Sequence, residues 1–314
     1  RHTLANLDAY LEQLERHVTA AGGHVHWAQD AARAREIVLE IAARHGVRRA
    51  VKSKSMATEE IALNEALEQA GIEALETDLG EYIIQLAGEG PSHIIVPAVH
   101  MKKAEIAELF RLRLGVDAPA EAAALTAIAR RVLRDRFLAA DLGLSGANFL
   151  VAETGTLVLV TNEGNGRMCT TLPDLHVAVV GIDKVLPDWD SLTVLLKLLA
   201  RSATGQKITT YTSFVTGPRR SEREGGPSEL HLVLLDNGRS RILADATTRE
   251  TLKCIRCGCC LNVCPVYKSV GGYAYGWFIS GPIGASCTPQ MLGTQAAREL
   301  PYASTLCGAC VDVC

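Results

Sequence analysis

CIRCGCCLNVCPVY, residues 254–267, sets Cys254, Cys257, Cys260 and Cys264 at C-x2-C-x2-C-x3-C, with Pro265 directly behind the last. That spacing is built for a cubane iron-sulfur cluster. Three closely set thiolates wrap corners of one cube while loop amides, helped by small residues such as Gly258, approach its sulfurs; the fourth cysteine faces away and ligates a second cluster. A second motif is therefore required, and LCGACVDVC supplies Cys307, Cys310 and Cys314 at C-x2-C-x3-C. Crossed ligation assigns Cys254, Cys257, Cys260 and Cys314 to the first cluster, and Cys264, Cys307 and Cys310 to the second. Clusters that share ligands across both motifs lie close together, which suits electron relay.

The second set is one thiolate short. Aligned backwards from Cys314, the pattern puts Ser304 where its first cysteine should stand. Three outcomes are open: a three-iron cluster, a cubane whose unique iron takes water, Ser304 or a partner's residue, or recruitment of Cys287, which follows no ferredoxin spacing. Structural zinc on Cys254, Cys257, Cys307 and Cys310 is the competing metal. It leaves Cys260, Cys264 and Cys314 without a role. Cys259 lies outside the pattern, and Cys169 and Cys287 read as small buried hydrophobes.

Outside this module the chain is cysteine-poor: nine of its ten cysteines fall between 254 and 314. Crowding at spacings of two and three favours metal ligation in a reducing compartment over a disulfide framework. With 314 residues, 48% apolar, two domains are expected. Lys plus Arg number 32 against 35 acidic residues, net −3, so there is no basic footprint for nucleic acid and no polybasic membrane anchor. The longest apolar runs, such as LHVAVVGI at 175–182, fall short of the ~18 residues a membrane span needs. No transmembrane segment is expected. The chain starts at Arg1 and stops at Cys314 inside a cysteine motif, so both ends are expected to be trimmed.

Through residue 245 the pattern alternates helix and strand. LANLDAYLEQLERHV (4–18) and AARAREIVLEIAARHG (31–46) place apolar residues three and four apart, and VRRAVKS, IEALETD and SHIIVPA are short apolar runs between helical segments. This predicts an α/β fold with a mainly parallel sheet flanked by helices. A helix over about 119–141, the strand FLVAETGTLVLVT, a helix near 188–203 and paired strands KITTYTSFVTG and ELHLVLLDNGRSRIL follow. Composition then shifts to Cys, Gly and Pro. The expected domains are 1–247, α/β, and 248–314, a small helical ferredoxin-type iron-sulfur module cut short at its C-terminus.

A candidate anion site comes from Lys52 and Lys54, in the loop after VRRAV and before a helix, an edge where α/β sheets bind anions. Glu153, in the middle of an apolar strand, is costly unless paired or functional. Thr154, Gly155 and Arg167 offer a hydroxyl, close backbone approach and a guanidinium for a small carboxylate or phosphate. A solvated loop, a Glu-Arg pair and a glycine turn are the structural alternatives. His231 reads as a satisfied strand residue. No dinucleotide, P-loop or Ser-His-Asp signature is present, so nicotinamide, ATP and serine-hydrolase chemistry have no motif support.

SKSMATEEIALNEALE (53–68), VAETGTLVLVTNEGNGRMCTTLPDLHVAVVGIDKVLP (151–187), VTGPRR (215–220), DNGRSRIL (236–243), the cysteine run and GGYAYGWFISGPIGA (271–285) together resemble the LutB-like iron-sulfur proteins of bacterial L-lactate utilisation. The resemblance spans essentially the whole chain. It implies an N-terminal LUD domain, similar in fold to cyclo-ligases and sugar-phosphate isomerases, then a two-cluster ferredoxin domain. It also implies work in a three-component cytoplasmic complex oxidising L-lactate to pyruvate, this chain passing electrons through two 4Fe-4S clusters. The competing function makes the LUD domain itself a catalyst or sensor for a small anionic metabolite, with structural or regulatory clusters.

Overall fold

The computed structural model describes residues 1–314. Its strands, in chain order, are β1 His24–Ala28, β2 Arg49–Lys52, β3 Glu73–Glu76, β4 Leu142–Ser145, β5 Phe149–Val151, β6 Thr156–Thr161, β7 Leu175–Gly181, β8 Val185–Leu186, β9 Tyr211–Val215 and β10 Glu229–Leu235. Six form one wholly parallel sheet in the order β1-β10-β7-β4-β2-β3. The remaining four make a smaller mixed sheet, β8-β5-β6-β9.

Side chains alternate across a strand, and both faces of the large sheet are covered. Val177, Val179, Val233 and Leu235 point to the side packed by the helices Ala31–Arg44 and Leu63–Gln69. Ala178, Val180, Leu232 and Leu234 point to the other, against the helix Leu7–Ala20 and residues of β6. Burial on both sides explains why β7 and β10 read as continuous apolar runs. The helix Ala31–Arg44 begins where the Asp30 side chain accepts the Arg33 N–H at 2.8 Å. It buries Ala34, Ile37, Val38, Ile41 and Ala42, a three-and-four spacing that keeps one stripe on the sheet.

Three expectations are corrected. KITTYTSFVTG and ELHLVLL do not pair with each other: β9 joins β6 in the small sheet and β10 joins β1 and β7 in the large one. Sequence adjacency suggested a hairpin, but β10 is apolar on both faces and belongs in the sheet interior. FLVAETGTLVLVT is two strands, β5 and β6, joined by a turn in which Gly155 takes φ 68°, so Glu153 is exposed on that turn rather than buried in a strand. SHIIVPA forms no strand. Its apolar residues serve an interface instead: a Cβ on Gly258 would meet Ile95 at 3.1 Å and Ile94 at 3.4 Å.

This segment docks the cysteine module on the α/β unit. Tyr267 Oη donates to the Ser92 carbonyl at 3.0 Å, and Tyr273 Oη donates to Glu89 Oε2 at 2.9 Å. A Cβ on Gly272 would fall 1.7 Å from the Ser92 carbonyl oxygen, so no side chain fits there. The module's own core is small: Leu252, Ile279, Cys287 and Met291 are buried together with Ile242 of the helix Arg239–Ala244.

In the sheet interior His176 is fully buried, its Nε2 2.8 Å from Ser145 Oγ and its Nδ1 without a partner. Burial pushes it down from 6.5 to about 4. The folded value lies below the unfolded one, so this stabilisation is complete above pH 6.5 and is lost as pH falls toward 4. At pH 5 the parent should lose about 2 kcal/mol relative to a His176→Gln variant. Urea unfolding of both proteins at pH 7 and pH 5 checks this; identical pH dependence would exclude it.

Candidate metal centre and adjoining cavity

The two cysteine motifs have the same local build. Arg256 and Leu306, each just before the second cysteine position, take φ 61° and 55°, and Gly258 and Gly308, just after it, take 73° and 78°. Each loop then enters a short helix, Cys259–Val263 and Ala309–Asp312, and the two helices pack together. The Arg256 N–H donates to Cys254 Sγ at 3.4 Å; at the equivalent place the Leu306 N–H donates to Ser304 Oγ at 3.1 Å. Ser304 therefore occupies in the second loop the position that Cys254 occupies in the first.

The donor set fits iron-sulfur clusters. All ten cysteines are free thiols. Cys264 Sγ accepts the Tyr267 N–H at 3.5 Å, so a thiolate in each half of the first run already faces a backbone donor, the arrangement that tunes cluster sulfurs. Burial pushes the Cys257 and Cys260 thiols up, and Cys314 stands close enough to both to add to that effect. Cys287 is engaged elsewhere. It is buried, donates to Met291 Sδ at 3.5 Å, and lies beside the Arg256 guanidinium. Cys169 is buried under β4 and pushed up to about 12 by that burial, an inert thiol.

Beside the first loop lies a cavity of about 630 Å³, roofed by Ile255 and Arg256 of the loop and floored by the carboxyl ends of β2, β4 and β7. Parallel sheets place their sites at this edge. A buried ion network forms the wall between sheet and loop. Arg239 donates through Nη1 and Nη2 to both oxygens of Glu60 at 2.8 and 2.7 Å, and through Nε to Asp183 Oδ1 at 2.6 Å. Lys184 Nζ bridges Asp183 Oδ2, at 2.6 Å, and the Cys254 carbonyl, at 3.1 Å. Burial would raise Asp183, but Lys184, Arg239 and Arg256 outweigh it and hold the carboxyl well below its ordinary range.

Of the six candidate anion residues, only Lys54 reaches this cavity. Lys52 is 1% exposed and closed by Glu59 and Glu76, each at 2.6 Å, and by Thr58 at 2.9 Å. Burial would lower it; the two carboxylates instead raise it, so its charge is permanent and already paired. Glu153 accepts the Trp189 N–H at 3.2 Å, Thr154 bonds Thr156, and Gly155 is pressed against the backbone of Val18. Arg167 is exposed. The six do not converge: Lys52 ends β2 of the large sheet, Glu153, Thr154 and Gly155 form the β5–β6 turn of the small one, and Arg167 lies in the helix Asn165–Thr171. His231 is held by His26 at 3.0 Å and Glu229 at 3.3 Å. His45, Glu229 and His231 form a His-Glu-His group whose ligand atoms lie within 4.8 Å of one another.

Sequence reading missed Lys184, Arg239 and Arg256, while Ser53 lies in the stretch 52–55 that it singled out. Arg256 had one available signal: it is a bulky cation at an x position of a ligand motif, held at positive φ where glycine or asparagine would be easier.

Residues 11–235 match the family model of the LUD domain, and residues 250–314 match that of a 4Fe-4S dicluster domain. The dicluster match removes the zinc alternative. The chain is 50% identical over 314 residues to lactate utilization protein B of Shouchella clausii and 49% identical over 313 residues to the uncharacterized electron transport protein YkgF of Escherichia coli. In each case the whole chain aligns, and it spans 66% of the relative's length. A crystal structure of a DUF162 family protein from Deinococcus radiodurans aligns with 73% of the chain and 98% of its own, at 14% identity and TM-score 0.42. No helix is long and apolar enough to cross a membrane.

Proposed function

Because the chain belongs to the LUD-domain family and carries a 4Fe-4S dicluster domain behind that fold, we propose that it is an iron-sulfur electron-transfer component of a system oxidising L-lactate to pyruvate. It acts in the cytoplasm with other subunits of a lactate-utilisation complex, and divides near residue 247 into a LUD unit and a cluster module. The observation that carries this is the pair of like-built cysteine loops, packed helix against helix, in a chain half identical to proteins named lactate utilization protein B.

Lactate oxidation releases two electrons and two protons, and bound 4Fe-4S clusters pass electrons singly. The chain's own residues set the route. Cys254, Cys257, Cys260 and Cys314 would hold one cluster and Cys264, Cys307 and Cys310 the other, with Ser304 the residue nearest in role to a fourth ligand. Lys184 and the docking segment around Ser92 fix the first loop to the sheet. Anaerobic stopped-flow mixing tests the assignment: lactate should bleach cluster absorbance when the partner subunits are present and leave it unchanged with this chain alone. Lactate turnover by the isolated chain would overturn the relay.

Crossed ligation has its own test. Cys264→Ser is expected to remove most of the EPR signal of the cluster bound by Cys307 and Cys310 while sparing the one bound by Cys254, Cys257 and Cys260. The opposite pattern would show that each motif holds its own cluster.

A further inference from the structure

The cavity contains groups that its ion network does not satisfy. Glu60 is fully used by Arg239 and Asn237, and Asp183 by Arg239 and Lys184. Arg256, the third cation on this wall, is left with no carboxylate of its own. Its Nη1 is shielded from solvent and makes no hydrogen bond. Ser53 also lines the cavity, is 2% exposed, and its hydroxyl has no partner. Lys54 Nζ makes one hydrogen bond, to the Ile95 carbonyl at 2.6 Å, and keeps donors free. A buried guanidinium nitrogen and a buried hydroxyl without partners are each costly, and both belong to residues that line the same cavity. Half of the lining is apolar, with Ile83, Val160 and Phe278 among it.

We propose that this cavity binds a small organic carboxylate of the 2-hydroxy or 2-oxo acid class, anchored by Arg256 with Ser53 and Lys54, and that its occupancy is coupled to the cluster on the first cysteine loop. One guanidinium fork matches one carboxylate, the hydroxyl and ammonium match an oxygen on the adjacent carbon, and the apolar wall takes a short chain. The volume of about 630 Å³ lies in the range of small-molecule sites and exceeds a three-carbon acid, so longer-chain acids should also enter.

The coupling follows from where Arg256 sits. Its backbone N–H meets Cys254 Sγ, and its guanidinium lies beside the thiols of Cys254 and Cys287. A carboxylate that neutralises this cation makes the loop more negative and opposes electron addition. By linkage, reduction of the cluster weakens carboxylate binding by the same factor. This deepens the relay proposed above, since it presupposes a cluster on that loop.

The test uses the anaerobically purified chain with both clusters in place. Calorimetric titrations with pyruvate, L-lactate and 2-oxohexanoate should show binding to the oxidised protein, with chloride and propanol as controls that do not bind. Affinity should fall about tenfold on dithionite reduction, equivalent to a lowering of about 59 mV in the potential of one cluster. Ser53→Ala should weaken binding about three- to tenfold and Lys54→Met about tenfold or more, the scales of a lost neutral and a lost charged hydrogen bond. Arg256→Leu should abolish it, and Arg256→Lys should restore part, with EPR confirming that the clusters remain. Absence of binding by every acid up to about 10 mM, weaker than ordinary specific association, would overturn the proposal. So would affinities unchanged in Ser53→Ala and Lys54→Met, or equal affinities for oxidised and reduced protein. These readouts need no partner subunits, so their failure leaves the relay standing. Failure of lactate to bleach the clusters in the full complex would sink the relay while leaving these titrations intact.

Discussion

Arg239→Met is expected to cost about 3–5 kcal/mol of stability, the loss seen when one partner of a buried ion pair is removed. Arg239 joins three separate parts of the chain: Glu60 on the helix Met56–Glu60, Asp183 just past β7, and the Asp236 carbonyl at the end of β10. The side chains of Glu60 and Asp183 are 1% and 2% exposed. Without the guanidinium, Glu60 loses both of its ion-pair bonds and Asp183 keeps only Lys184 and the nearby Arg256 to balance it. Methionine keeps the apolar stem, which isolates the charge. The double variant Arg239→Met with Glu60→Met should recover much of the loss, giving a coupling energy of at least about 2 kcal/mol. Urea midpoints of the parent, the two single variants and the double variant measure it. A loss below about 1 kcal/mol for the first single variant would mean that the network is not what holds these elements. Asp183, held low by its cations, contributes above its unfolded value of 3.8 and loses that contribution as pH falls below it. The variant's acid limb should accordingly be shallower.

The second large effect is on the cluster proposed to sit on Cys264, Cys307 and Cys310. The second loop supplies one thiolate fewer than the first, Ser304 standing where the first has Cys254. An iron held at its fourth position by the Ser304 hydroxyl has no thiolate to retain it and should leave first. Brief air exposure of the parent is expected to convert most of this cluster to a three-iron form, read as its EPR signal, before the other cluster changes. Ser304→Cys should reduce that signal at least about tenfold by completing the thiolate set. Cys287→Ala should leave it as in the parent, because that thiol is packed against Met291 and Arg256. Loss of the cluster in Cys287→Ala alone would make Cys287 the missing ligand.

The cysteine module was legible because ligand spacing is a local code: a few residues fix which thiols can share a cube. Sheet strands such as LHVAVVG were legible for a similar reason, since burial on both faces writes itself into the run. Pairing partners were not. Whether β10 joins β9 or slides between β1 and β7 depends on surfaces built from residues nearly the whole chain apart. The same distance hid the site. Lys52 is the last residue of β2 rather than part of the loop, and Glu76, its register partner on the adjoining strand β3, had already claimed its charge. Arg239 and Glu60 are 179 residues apart, and nothing near either announces the other. Glu153 looked buried only because the turn that exposes it lies within an apolar stretch.

The docking of the cysteine module bears on how the protein matures. Its roof is borrowed: Ile94, Ile95 and the Ser92 carbonyl close over Gly258 and Gly272, and its few buried apolar residues are completed by Ile242 from outside it. A module so dependent on its neighbour has little structure to offer a cluster until the parallel sheet has formed. Iron and sulfide insertion is therefore expected to follow folding of the parallel sheet. On that order, the loops that receive the clusters would already be seated on the sheet edge when iron and sulfide arrive.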